Sequence, residues 1–424
     1  MANRLYYSDA FLKSFNATVT DIREVSRTEG QSLWQVALDR TAFYPATGGQ
    51  PYDLGTLTAT SRGGAVLEVP IESIEEDEAG EVWHFVRKPL LSGTVVEGTI
   101  DWQRRLDHMQ QHSGQHLLSA VFAHELKAPT VSFHLGETVS TIDIASGALA
   151  HHSLERVEQI ANTLIAENRT VNIQTVPREK AEALLTEGKL SKLPERDGTI
   201  RLIEIENYDL NACGGTHVRS TGQIGGLLIR GVEKVSRGFR ISFVCGLRAV
   251  RAAREDFTRL SQAASTLSIG AADLPAALDR IQATAKTAEK DRLKLREELA
   301  TYHAARLAVE EPIQHGLRLV QRTYPDRDRD YIRLLASRLT ASVPQTVALI
   351  STTENDPARI VLARSQDLDF DCGSLLKEAL AELGLRGGGS RDLAQGEVPH
   401  AQLDTFIASV ATAVKATTLT AARR

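Results

Sequence analysis

The chain has 424 residues, 42% hydrophobic and 24% charged, with 49 Lys and Arg against 54 Asp and Glu for a formal net charge of −5. That length suggests two or three domains, and the balance is that of an ordinary soluble globular protein, not of one coated in positive charge. No stretch reaches the roughly 18 apolar residues of a membrane span, the opening MANRLYYSDAF lacks a signal-peptide core, and 3 cysteines are too few for a disulfide framework, which fits a reducing cytoplasm.

Residues 1–100 read as mostly β. The alternating runs SLWQVALD and EVWHFV are separated by the glycine-rich turns TGGQPYDLG and SRGGA. An all-β barrel or sandwich is expected there. From Asp101 the pattern changes. RRLDHMQQHSGQHLLSAVFAHEL is helical, with Leu106, Met109, Leu117, Val121 and Phe122 available to a core. TVSFHLGETVSTIDIA alternates like a strand pair. SLERVEQIANTLIAENR is an amphipathic helix, and Ser153 with Glu155 gives it a capping signal. TIRLIEIE, GGLLIRGVEKV and RGFRISFVCG add strands, so residues 101–250 form an α+β domain.

Residues 251–310 are expected to be a helical linker. Within it Leu278, Ile281, Ala285, Ala288, Leu295, Leu299 and Tyr302 follow steps of three and four, a heptad pattern that Arg292 interrupts. One long helix or a helical hairpin satisfies it. The stripe offers a surface for a homodimer, as does the C-terminal domain. Residues 311–424 alternate α and β: a helix in DYIRLLASRLTA, strands TVALISTT and RIVLARS, a helix GSLLKEALAELG, a loop LRGGGSRDLAQG and a last helix. Acids and bases number 14 each from Glu311 onward, so composition gives no sign of a nucleic-acid surface there. The expected fold is multidomain α+β: an N-terminal β-barrel, an α+β metal-binding domain, a heptad helix and a C-terminal α/β domain.

The chemistry concentrates in two motifs. His108, His112 and His116 stand four apart in DHMQQHSGQH, close to one face of a helix. Two imidazoles one turn apart grip a transition metal. Further donors are expected in NACGGTHVRS, where Cys213 and His217 flank a turn permitted by Gly214 and Gly215. A thiolate with imidazoles suits zinc, and the two pairs together close a tetrahedron that neither makes alone. Just beyond, from Arg219 to Arg254, eight Lys or Arg stand against one acid, Glu233.

HSGQHLLSA together with CGGTH resembles the editing domain shared by alanyl-tRNA synthetases and the free-standing AlaX proteins, which is similar to the editing region of threonyl-tRNA synthetases. FYPATGGQPYDLG resembles the glycine-rich motif of the barrel preceding that domain. GLRGGGSRDLAQG resembles the C-terminal domain of alanyl-tRNA synthetases, a relative of a domain attached to Asp-His-His phosphoesterases. The resemblance covers nearly the whole chain and is to the long form of AlaX. It puts the zinc ligands, and with them the catalytic centre, on His112, His116, Cys213 and His217. His108 falls where the family pattern asks for no histidine and reads as a surface residue, the alternatives being a proton shuttle or a partner that supports the ligands.

The resemblance implies a cytoplasmic, zinc-dependent trans-editing hydrolase that protects translation fidelity. Its substrate would be tRNA(Ala) mischarged with serine, and glycine as well. The glycine-rich motif begins near Thr41, so no ligase domain is expected ahead of it. A pocket made for alanine excludes glycine poorly and rejects serine's added hydroxyl only weakly. A second site that hydrogen-bonds that hydroxyl discriminates by about 1–3 kcal/mol per partner left unpaired with alanine. Thr130, Ser132 and His134, on one face of a strand bordering the pocket, would meet the hydroxyl or the terminal adenosine. An exposed polar strand face is the alternative. Gly48, Gly49 and Gln50 would approach the pocket, Gln50 as a hydrogen-bonding group; a plain turn is the alternative. Arg104 and Arg105 on the histidine helix, and Arg219, Arg237 and Arg240 in the basic run, are expected to contact the tRNA. Gly387, Gly388 and Gly389 form either a phosphate-approaching loop or an ordinary helix-terminating one. A closed Cys/His3 sphere also fits a structural zinc in a non-catalytic tRNA-binding protein. If the metal is to activate water one donor must be loose, and His217 on its turn is the candidate. A phosphoesterase is disfavoured: no DHH run occurs, and Ser390 stands where many such relatives have histidine.

Overall fold

The computed structural model describes residues 2–28, 31–194 and 198–421. The chain forms two compact units, Met1–Ala263 and Ala264–Arg424, and their boundary falls inside the helix Gly246–Thr266.

Six strands close a barrel in the first unit, in the order Ser14–Thr28, Gln31–Leu38, Val82–Val86, Val66–Glu76, Gly55–Thr60 and Val95–Ile100. Closure depends on the 15-residue first strand. Its start pairs with Val95–Ile100 and its remainder with Gln31–Leu38, the register slipping at Val19/Asp21 and Glu24/Ser26. Bulges of this kind bend a strand, so one strand serves two walls. Val19, Val36, Leu38, Leu57, Val69, Ile74, Val82 and Val96 fill the interior.

The barrel is stapled to the histidine helix, Trp102–Leu126, through the glycine-rich segment. Arg105 and Asp53 are both fully buried and ion-paired, with Arg105 Nε 3.0 Å from each carboxylate oxygen. Arg105 Nη1 also donates to the Ala10 carbonyl at 2.8 Å, and Asp53 accepts from the Tyr44 amide at 2.6 Å. Arg105 therefore has no surface to offer a tRNA. Its charge is spent inside the protein, on a carboxylate that a linear reading does not reveal.

The histidine helix packs Met109, Leu117, Leu118, Val121 and Phe122 against Ile142, Ile144, Ile241 and Phe243 of a four-stranded antiparallel sheet. That sheet runs Leu227–Val235, Gly238–Cys245, Ser140–Ile144, Thr130–Leu135. Burying side chains of this size contributes about 1.5–3 kcal/mol each. A second helix, His151–Ala166, adds Val157, Ala161 and Leu164. It begins two residues before Ser153, and its N-cap Ala150 makes no side-chain cap. The capping signal at Ser153 is thus not used. A three-stranded sheet, Val171–Pro177, Thr199–Ile205 and Asp209–Ala212, leads into the CGGTH turn.

The second unit contains one 37-residue helix, Leu274–Glu310, where the heptad was read. Its C-terminal end buries Ala300, Ala304 and Leu307 against Tyr331, Ile332 and Leu335 of helix Arg329–Ser342. A five-stranded sheet runs Arg318–Tyr324, Thr346–Thr352, Ala358–Arg364, Leu393–Val398, Gly387–Gly389. Cys372–Glu382 and His400–Ala421 supply further helices. The triple glycine is an edge strand, not a loop: it pairs with Ala394, Gln395 and Gly396. A Cβ on Gly387 would lie 2.2 Å from Leu380 Cδ1, and one on Gly389 would lie 2.2 Å from the Leu393 carbonyl oxygen. Close packing accounts for both. No helix among the described residues is long and apolar enough to cross a membrane.

Candidate metal centre

His112 and His116 project from the histidine helix toward the turn that follows strand Asp209–Ala212. There the donor atoms of His112, His116, Cys213 and His217 all lie within 4.8 Å of one another. His112 Nε2 is 3.4 Å from Cys213 Sγ, and His217 Nε2 is 3.3 Å from the same sulfur. A zinc tetrahedron with its usual bond lengths has edges of about 3.3–3.8 Å. These two contacts fit it.

Hydrogen bonds around the cluster orient its imidazoles. The Thr216 amide donates to Gln50 Oε1 at 3.0 Å, and Gln50 Nε2 donates to Thr216 Oγ1 at 2.8 Å. Gln50 Oε1 also meets His112 Nδ1 at 2.8 Å, so Nδ1 must carry the proton and Nε2 keeps its lone pair for the cluster. Ser113 Oγ accepts from the Val218 amide at 3.1 Å and meets His217 Nδ1 at 3.2 Å. His116 Nε2 is buried with no hydrogen-bond partner among the described residues. A buried imidazole nitrogen without a partner is costly unless something binds it. The donor set, its spacing and this orphan nitrogen all fit a metal ion.

The electrostatics agree. Burial holds His116 down to about 4. Burial, together with neighbouring imidazoles and Arg201, holds His112 and His217 well below the ordinary imidazole range. All three rings are therefore neutral at neutral pH, as metal donors need to be. Burial pushes the Cys213 thiol up, opposed by the Gly215 amide and by Arg201. Arg201 Nη1 donates to the carbonyls of Cys213 and Gly215, both at 2.8 Å, and so fixes the turn. Gly215 is required by space: a Cβ there would lie 2.2 Å from His112 Cε1.

The other expected residues fall in different places. Gln50 is 2% exposed and belongs to the cluster's support. Gly49 adopts a left-handed φ of +79°, and a Cβ on it would lie 2.7 Å from Phe133 Cε2. Gly48 shares the left-handed conformation, at φ +58°. Thr130 reaches the histidine helix, donating to Ser119 Oγ at 2.7 Å. Ser132 and His134 do not border the cluster. Ser132 donates to Asp143 at 2.9 Å, and Asp143 pairs with Arg240 on the side away from the buried Ile142. The residue between them, Phe133, faces His112 instead, with ring centroids 5.9 Å apart. Polar alternation located the strand but not its inner face; the hydrophobic Phe133 opposite Ile142 was the available signal.

His108 is 4% exposed, and burial with the charges of Arg104, Arg248 and Arg105 lowers it to about 3. It is not a surface residue. Arg104 donates to the Tyr52 carbonyl at 3.0 Å. Arg219, Arg230, Arg240 and Arg248 are ion-paired with Asp9, Asp256, Asp143 and Asp107. Arg237 is exposed. Arg201, Ser113 and Thr216 carry no local signal in the sequence; their roles depend on contacts distant in sequence.

A barrel stapled to a helix-and-sheet domain, with a buried Cys/His3 cluster between helix and turn, defines a two-part domain whose centre could hold a metal ion. A family model described as the threonyl and alanyl tRNA synthetase second additional domain matches residues 200–241, and the DHHA1 domain matches residues 317–416. The alanine–tRNA ligase of Pyrococcus furiosus is 32% identical over 93% of this chain and 42% of the ligase. The chain thus spans about two fifths of such ligases. The alanyl-tRNA editing protein AlaX-M of Methanosarcina mazei is 36% identical over 57% of this chain and 94% of that protein. The alanyl-tRNA editing protein AlaX-L of Pyrococcus horikoshii is 30% identical over 94% of this chain and 95% of that protein. The chain belongs to the AlaX-L alanyl-tRNA editing protein family.

Proposed function

We propose that this protein is a zinc-dependent aminoacyl-tRNA deacylase that hydrolyses seryl-tRNA(Ala), and glycyl-tRNA(Ala) as a second substrate. The observation that carries the reading is the Cys/His3 cluster, its His112 oriented by a glutamine from the glycine-rich motif, in a chain collinear with an alanyl-tRNA editing protein. His112, His116, Cys213 and His217 would hold the ion. When bound, it supplies Lewis acidity at the ester. The chain's own groups do the rest. Gln50 and Thr216 form a buried polar pair beside the cluster, suited to receive a hydroxyl that alanine lacks. The neutral imidazoles leave the ester's neighbourhood free of competing protonated donors. Exposed Arg219, Arg237 and Arg240, with half-buried Arg104, are the expected phosphate contacts. Such contacts contribute affinity without reading sequence.

The test is deacylation of seryl-tRNA(Ala), with alanyl-tRNA(Ala) as control, by wild type and Cys213→Ala. Rapid loss of serine but not alanine, abolished in the variant, is expected. Indifference to both esters, with zinc and tRNA still bound, would instead establish a binding protein with a structural zinc.

A further inference from the structure

One aromatic at the centre has no part in that chemistry. Phe133 stands opposite Ile142 in the ladder, and Ile142 is fully buried under the histidine helix, so the Phe133 side chain emerges on the same face. One edge of its ring closes on Gly49, where a Cβ would lie 2.7 Å away. Its centroid is 5.9 Å from that of His112. Phe133 is nevertheless 37% exposed. Flat apolar surface is held in water beside His112, one of the four candidate metal donors. Leaving it bare forgoes burial that a phenylalanine normally gains.

We propose that Phe133 is the platform on which the terminal base of the tRNA 3′ end stacks. This rests on the reading of the chain as an aminoacyl-tRNA deacylase. The scissile ester joins the amino acid to the ribose of the last nucleotide, so with the ester at the donors the base lies one sugar away. The two sides of His112 differ in kind. Gln50 and Thr216 are buried hydrogen-bonding groups, suited to an amino-acid side chain. Phe133 is an anchored ring with an exposed face, suited to the π-face of a base. Ser132 and His134, its polar neighbours, lie on the opposite face of the strand, so the contact is a stack and not an edge readout.

The probe is uncharged tRNA(Ala) with 2-aminopurine in place of the terminal adenine, whose fluorescence falls on stacking. Wild type and Phe133→Trp should quench it. Phe133→Leu, which keeps apolar bulk against Gly49 but has no ring, should bind the tRNA without quenching. In deacylation, Phe133→Leu should raise KM for seryl-tRNA(Ala) by about 5- to 150-fold, the equivalent of one base-on-aromatic stack. Its kcat and zinc content should be unchanged, and Phe133→Trp should restore KM. Equal quenching by Phe133→Leu would overturn the proposal. So would a fall in kcat with loss of zinc at constant KM, which would make Phe133 a buttress of His112. Quenching by a wild type that hydrolyses neither ester would refute the deacylase reading and leave the platform standing.

Discussion

Gln50, expected beside the pocket as a hydrogen-bonding group, orients one donor of the candidate metal centre. Its carbonyl oxygen is fixed as an acceptor by the Thr216 amide, and that fixes the tautomer of His112. Groups that orient a metal-binding histidine typically govern metal affinity by 10–100-fold, as an approximate range. Gln50→Ala should therefore weaken zinc binding by about that factor while the fold survives, measured by competition with a chromophoric chelator. Unchanged affinity would show that packing alone orients His112. The same contacts explain why the donor quartet and, through the resemblance, Gln50 were legible in the sequence while Thr216, Ser113 and Arg201 were not. HxxxH on a helix and CxxxH across two glycines declare themselves by local spacing. Gln50 and Thr216, 166 positions apart, meet only once the barrel has docked. Arg105 misled for the same reason: a charge at a helix start looks solvated until its buried partner Asp53 is seen.

The barrel that delivers Gln50 has its own titrating element. His84, on strand Val82–Val86, is fully buried, with Nδ1 3.0 Å from the Val36 carbonyl and Nε2 2.9 Å from Thr41 Oγ1. Burial lowers it to about 4. An unfolded histidine titrates near 6.5, so between there and 4 the unfolded chain takes up a proton that the barrel refuses. This contribution is fully present above pH 6.5 and lost as pH falls toward 4, amounting to at most about 3 kcal/mol. Urea unfolding at pH 7 and pH 4.5 should show a larger fall in midpoint for wild type than for His84→Gln; equal falls would exclude His84 as a source of acid lability. The barrel itself was readable from alternation and turns, because period-2 patterning is plain in Val95–Ile100 and in part of Val66–Glu76. The GGG segment was not, since three glycines show no periodicity, and it is the neighbouring Leu380 and Leu393 that make it an edge strand.

In the whole chain, the long helix Leu274–Glu310 poses a separate question, because apolar residues at heptad spacing along it stay exposed among the described residues. Leu278, Ile281, Leu295, Leu299 and Tyr302 are 47%, 46%, 63%, 38% and 76% exposed. A stripe of this kind with period 3.5 is the seam of a coiled coil, and Arg292 within it would limit the pairings that leave its charge solvated. Ion pairs flank it, Glu289 with Arg292 and Lys294 with Glu298, but pairs this exposed contribute little. The stripe favours a second copy of the chain as its cover. Sedimentation equilibrium should then give twice the 46.3 kDa chain mass. The double variant Leu295→Glu, Leu299→Glu should sediment as the monomer with helix content and the proposed seryl-tRNA(Ala) deacylation preserved, since the four candidate donors lie wholly within the first unit. A wild type that stays monomeric at micromolar concentration would assign the stripe to another partner. A variant that loses deacylation on dissociating would mean that the dimer, and not the single chain, is the unit that grips tRNA.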